Sequence, residues 1–166
     1  MLFVRKSTLD DFDTITAIYS HARQFMRESG NPLQWGNSHP TKELILRDMA
    51  EGTGFVAVDE ADKIYGVTAF ILGSDPTYNI IEGGDWLNNL PYGTIHRLAS
   101  DGSRKEIFSI FLSFFKSKID NIRVDTYKDN SIMQHLLQKH GFKKCGTIYL
   151  EDGNPRIAYH LEMHSI

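Results

Sequence analysis

"IHRLASDGSRKEIFSIFL", residues 95 to 112, carries three structural signals in immediate succession. Its first six residues read as a strand, and the polar run from Asp101 to Lys105 reads as a turn. From Arg104 to about Lys118 the apolar residues Ile107, Phe108, Ile110, Phe111, Leu112, Phe114 and Phe115 predict a helix apolar on most sides. Such a helix is packed between layers rather than laid on the surface. Its first turn directs backbone N–H groups at whatever lies before it, which suits an anion. Glu106, itself negative, stands in that turn.

Upstream, "LFVRKS" reads as a strand and "STLDDFDTITAIYSHARQFMRESG" as an amphipathic helix. Ser7 or Thr8 is its N-cap, Asp10 and Asp11 sit where the helix dipole favours them, and Gly30 stops it. A turn-rich loop carrying Trp35 leads to a second helix, "TKELILRDMAEG", and then to a hairpin, "GFVAVDEADKIYGVTAFILG". "SDPTYNIIEGGDWLNNLPY" loses all periodicity, and loops of this length are more often functional than idle. Downstream, "NIRVDTY" is a strand, and "NSIMQHLLQKHGF" is a helix closed by Gly141. "KKCGTIYL" and "RIAYHLE" form a hairpin about Asp152-Gly153. The order βααβββαβαββ predicts an α/β protein, one domain over residues 1–166, with a mixed central sheet and helices on both faces.

Composition narrows the function. Hydrophobic residues at 41% and charged residues at 23% exclude a disordered chain. A formal charge of −3 argues against nucleic acid as the main partner. The longest apolar run is broken by Ser109 and Ser113 and is too short for a membrane span. One cysteine, Cys145, excludes an intrachain disulfide; with no signal-peptide pattern at the start, a cytoplasmic location is expected. The seven histidines show no metal-ligand spacing, so no metal is expected.

The segments "IHRLASDGSRKEIFSIFL" and "VDTYKDNSIMQHLLQKHGF" occur in the order of two motifs of the GNAT-type N-acetyltransferases, and the chain resembles that family over essentially its whole element order. The resemblance implies acetyl-CoA as co-substrate. It places the diphosphate on the turn Ser103, Arg104, Lys105, Glu106, Ile107 and Phe108, with Leu98, Ala99, Asn130 and Met133 as further CoA contacts. The family's motif there, Arg/Gln-x-x-Gly-x-Gly/Ala, falls on Ser103, Glu106 and Phe108, all departures from it. Amide donors do not depend on side-chain type, so a cradle survives if Glu106 and Phe108 turn their side chains away. The place of the family's thiolate-protonating tyrosine falls on Leu137.

The chemistry implied is direct attack of a primary amine on the thioester within a ternary complex. It needs a base, a backbone donor for the oxyanion and an acid for the leaving thiolate. The resemblance puts the oxyanion donor on the strand near Arg97, Leu98 or Ala99. His96 lies on that strand, and histidine is the residue type suited to a base at neutral pH. Glu82 and Asp85 are alternatives, and Tyr127 is the expected acid, with Ser131 and His135 nearby in sequence. Trp35, Tyr78, Glu82 and Trp86, with Tyr92, lie in the two irregular loops, where the family's acceptor walls would fall. The acceptor is a small-molecule amine or a peptide amine, with neither nucleic acid nor membrane as partner and a homodimer left open. The competing reading is a GNAT-fold protein that binds CoA, or senses it, without turnover.

Overall fold

The computed structural model describes residues 1–163, and the elements follow the order read from the sequence. They are β1 (Phe3–Lys6), a 3-10 turn (Leu9–Asp11), α1 (Phe12–Glu28), α2 (Lys42–Glu51), β2 (Gly54–Val58) and β3 (Ile64–Leu72). A long loop with a 3-10 turn at Pro76–Tyr78 precedes β4 (Gly93–Ser100), α3 (Ile107–Lys116) and β5 (Asn121–Thr126). The chain then adds α4 (Ser131–Lys139), β6 (Lys143–Tyr149) and β7 (Pro155–Glu162). The seven strands follow the order β1-β2-β3-β4-β5-β7-β6. The sheet is mixed: β4 runs parallel to β5, while β1–β2, β2–β3, β5–β7 and β6–β7 are antiparallel.

The chain divides into two compact units. One comprises Met1–Phe70 with His96–Phe115, the other Ile71–Ile95 with the residues from Lys116 onward. In the first, Asp11 accepts from both terminal nitrogens of Arg5, at 2.8 and 3.0 Å, and from the Thr8 N–H at 2.8 Å. One carboxylate thus ties β1 to the start of α1. Thr41 caps α2, accepting from the Leu44 N–H at 3.2 Å, and Gly52 ends it in the left-handed region. Ile15, Ile18 and Tyr19 of α1 and Ile45 of α2 pack on Val56, Val58, Ile64, Val67 and Ala99.

Helix α3 departs from its sequence reading in two ways. It begins at Ile107, not Arg104, because Ser103–Glu106 remain in the turn. It is also not buried on most sides. Ile107, Phe108, Phe111, Leu112 and Phe115 form one covered face, Ile110 and Phe114 are half-buried, and Ser113 is exposed. Phe115 stacks on Phe70 with centroids 4.0 Å apart. The start of the helix sits directly on β3: a Cβ on Gly66 would lie 2.6 Å from a methyl of Ile107. Only a glycine admits that approach.

In the second unit the long loop is pinned to the sheet. Tyr78, Trp86 and Tyr92 form a core with Cys145, Ile148 and Ala158. The Tyr78 hydroxyl donates to Asp125 at 2.6 Å, and the Trp86 indole donates to the Tyr78 carbonyl at 2.9 Å. Glu82 and Thr147 exchange both backbone hydrogen bonds, at 2.9 and 2.8 Å, covering the β6 edge. A Cβ on Gly84 would stand 1.9 Å from the Cys145 carbonyl oxygen, so this docking requires glycine. Apolar rings and backbone pairing, invisible as periodicity, give the segment its order.

Candidate active site

The turn before α3 is assembled from its own side chains. The Asp101 carboxylate accepts from the N–H of Ser103 at 2.9 Å and from its hydroxyl at 2.7 Å. Asp101 thereby takes up both Ser103 donors. The Glu106 carbonyl accepts from the Ile110 N–H at 3.0 Å, opening the helix. Arg104 donates to the Glu106 carboxylate, through Nε at 2.8 Å and also through Nη2, while its guanidinium lies 5.3 Å from the Tyr65 ring centroid. Arg104, followed by the backbone N–H groups of Glu106 and Lys105, holds that carboxyl below its usual range.

Here the structure corrects one sequence expectation and meets another. Phe108 turns into the core, 3% exposed. Glu106 does not turn away: its carboxylate folds back onto the Arg104 guanidinium of the same turn. An internal anion therefore already engages the guanidinium of this turn. Lys105 is exposed and Arg104 half-buried, so both stand within reach of solvent.

Strand β4 leads into that turn. Its carbonyls at His96 and Arg97 are held by hydroxyls: Thr68 donates to the first at 2.9 Å and Tyr19 to the second at 2.8 Å. Arg97 has φ +54° and forms a bidentate pair with Asp48. The His96 and Leu98 side chains are half-buried, and Ala99 is buried in the core.

In the second unit Asn130 caps α4, its side-chain oxygen accepting from the Met133 N–H at 3.0 Å. Met133 is half-buried on the first turn. Tyr127 is 9% exposed, with the Arg156 guanidinium 4.8 Å from its ring centroid. Leu137 is fully buried, a core position. Of the acceptor-wall residues, Tyr78 and Trp86 are buried at 2% and 9% and hold the loop to the sheet. Glu82 is exposed and accepts from the Tyr149 hydroxyl at 3.3 Å. Trp35 belongs to the first unit, edge-on to Tyr19 with centroids 5.7 Å apart.

Two arrangements carried no sequence signal. One is the Asp48–Arg97–Tyr19 group. The other surrounds His160, whose Nδ1 accepts from the Leu87 N–H at 3.1 Å while Nε2 donates to Asn121 at 2.9 Å. Beside it the Arg123 guanidinium lies between the rings of Trp86 and Tyr92, 4.1 and 4.0 Å from their centroids. Burial, with the Arg123 charge adding to it, pushes the His160 imidazole down to about 4. Among the described residues no group of three or more His, Cys, Asp or Glu side chains is placed to hold a metal ion, and no helix is long and apolar enough to cross a membrane.

No family model and no curated protein matches this sequence. Solved structures do. The chain is similar to an acetyltransferase of the GNAT family from Streptococcus agalactiae, with 27% identity and a TM-score of 0.87 over 99% of this chain and 96% of that one. It is similar in fold to a GNAT-family acetyltransferase from Listeria monocytogenes, at 19% identity and a TM-score of 0.70 over 97% and 94% of the two chains. An N-acetyltransferase from Staphylococcus aureus gives 20% identity and a TM-score of 0.64 over 99% of each chain. The chain has the GNAT-type N-acetyltransferase fold. These likenesses support acetyl transfer in general as its activity class.

Proposed function

We propose that this chain is an N-acetyltransferase that moves the acetyl group of acetyl-CoA to a primary amine by direct attack in a ternary complex. The observation that carries the reading is the likeness, over 99% of the chain, to a GNAT-family acetyltransferase. The anion-seeking turn before α3 adds to it. Backbone N–H groups from Ser103 to Phe108, with Arg104 and Lys105, would hold the CoA diphosphate once Asp101 releases Ser103 and Glu106 releases Arg104. Leu98, Ala99, Asn130 and Met133 are the remaining CoA contacts we assign.

In the reaction His96 takes the proton of the attacking ammonium, and Tyr127 supplies one to the departing thiolate. The amine nitrogen bonds to the acetyl carbon to give a tetrahedral oxyanion, which collapses as the carbon–sulfur bond breaks, and the second proton lost by the nitrogen replaces the one that Tyr127 gave. Glu82 and Trp35 are assigned to the acceptor, a small-molecule or peptide amine. Tyr78 and Trp86 serve it by fixing the loop that carries Glu82. We place the protein in the cytoplasm.

Glu106 favours a second reading, a CoA-binding protein without turnover, because a carboxylate on the cradle weakens the donor's hold. One experiment separates the two. Acetyl-CoA should raise the melting temperature, by about 2.7 kcal/mol of added stability at a hundredfold excess over Kd. Thiol release should then follow with some member of a panel of primary amines, and His96→Gln should slow it about 10²–10⁴-fold with CoA affinity intact. A thermal shift without thiol release supports the second reading. The absence of any shift at millimolar acetyl-CoA refutes both.

A further inference from the structure

Strand alternation turns Arg156, Ala158 and His160 of β7 to one face of the sheet. Ala158 packs there with Tyr78 and Trp86, and His160 lies edge-on to Trp86, so this is the face beneath the long loop. Across the β5–β7 pair, Asp125 reaches the same face, and the Tyr127 ring lies against the Arg156 guanidinium, 4.8 Å from its centroid. Helix α4, capped by Asn130 and carrying Met133, ends against the other face: a Cβ on Gly141 would lie 3.6 Å from a methyl of Leu161.

Arg156 is 8% exposed, and a guanidinium so far from water is costly without a counter-ion. Other shielded arginines have one: Asp48 for Arg97, and Asp11 for Arg5. Arg156 has none. Among the described residues its one acceptor is the Pro155 carbonyl, at 3.0 Å. Asp125 is its diagonal neighbour, since it pairs with Ala158, and long side chains reach such neighbours. That carboxylate accepts from the Tyr78 hydroxyl at 2.6 Å instead. Asp152, in the hairpin turn, accepts from the N–H and side-chain amide of Asn154. Arg123, the other buried arginine, lies between two rings and donates to the Asn88 carbonyl at 2.8 Å, and its Nε is sealed from water without an acceptor. The Nε and Nη2 of Arg156 also lack a protein acceptor, but they are not sealed. They stay open to what enters from solution.

A guanidinium presents paired N–H groups that match a carboxylate in shape and charge. Glu82, assigned above to the acceptor, stands at the same corner of the sheet. It exchanges backbone bonds with Thr147, whose strand partner Ile157 adjoins Arg156. An exposed carboxylate and an unmatched guanidinium that do not pair with each other suit a molecule carrying both charges. We propose that Arg156 binds a carboxylate of the acceptor, which makes the acceptor a free amino acid rather than a simple amine or a peptide amino terminus. The inference rests on the acetyl-transfer reading, and it names the substrate class of that reaction.

Thiol release from acetyl-CoA tests it, with the panel of primary amines extended by α-, β- and γ-amino acids, each paired with its own carboxamide. At least one acid should exceed its carboxamide in kcat/KM by about 10–100-fold, the effect of losing a charge-assisted hydrogen bond. Arg156→Met should abolish that preference, chiefly by raising KM for the acid, and Arg156→Lys, which keeps the charge without the fork, should fall between. Acetyl-CoA should raise the melting temperature of both variants as much as that of the wild type. The wild-type comparison of acid with carboxamide stands even where a variant fails to fold. If no amine of any kind releases thiol, the acetyl-transfer reading falls and the carboxylate site falls with it. If simple amines or carboxamides are turned over as fast as the acids, or if the preference survives in Arg156→Met, the carboxylate site alone is overturned. Loss of the acetyl-CoA thermal shift in folded variants overturns it too, since the guanidinium would then serve a phosphate of the donor.

Discussion

Acid should destabilise this protein through His160 in a way that can be calculated. The imidazole is wholly buried, and its Nδ1 faces the Leu87 N–H, a donor that cannot turn away. Protonation would set two N–H groups against each other beside the Arg123 charge. The folded-state value of about 4 lies below the ordinary 6.5, so between these pH values the unfolded chain binds the extra proton. Stability from the neutral imidazole is therefore fully present above pH 6.5 and is lost as pH falls toward 4. A shift of this size is worth about 3 kcal/mol at its limit, of which about 2 kcal/mol is gone by pH 5. Urea unfolding at pH 7 and pH 5 measures the difference, with His160→Gln as the comparison, since its amide can accept from Leu87 and donate to Asn121 without titrating. The wild type should lose about 2 kcal/mol more than the variant over that interval. Parallel losses would refute the reasoning, as would an NMR titration in which His160 protonates near pH 6.5.

Two further outcomes follow from the local geometry. Glu106→Gln should tighten CoA several-fold by calorimetry, because it removes the charge that pairs with Arg104 and would repel a diphosphate; weaker binding in the variant would mean that Glu106 helps to hold the ligand. Gly84→Ala should lower stability by about 1–3 kcal/mol, since the new methyl would stand against the Cys145 carbonyl, and a melting temperature equal to wild type would show that the loop does not dock there.

Most of the fold was legible without coordinates, and the reason is periodicity. The stripe of Ile15, Ile18 and Tyr19 repeats at the helical period, the "FVAV" and "VTAF" runs have strand character, and Thr41, Gly52 and Gly141 mark helix ends by their own conformational preferences. Each of these signals comes from interactions a few residues apart, which a sequence displays directly. The sequence starts α3 three residues early, at Arg104 instead of Ile107, because Arg104, Lys105 and Glu106 are all good helix formers. What keeps them in the turn is a side-chain pairing between Arg104 and Glu106 that propensity does not register.

The sequence alone determined the element order, the presence of a polar turn ahead of an apolar helix, and the resemblance that named a co-substrate. Tertiary structure decided which of those residues are available for chemistry. Tyr78 and Trp86 look like pocket aromatics in sequence, yet their rings fill the core under the loop, because burying that apolar area is worth more than leaving it exposed. Glu106 looks like a residue to be turned outward, yet it folds back onto the turn, because the neighbouring Arg104 guanidinium makes that the favourable place for a carboxylate. The bend at Arg97 left no trace in sequence at all: an arginine has no preference for positive φ, and the partners that hold it there, Tyr19, Asp48 and Thr68, lie far away along the chain. Local preference is written residue by residue, whereas the backbone angle at Arg97 depends on groups that only folding brings together.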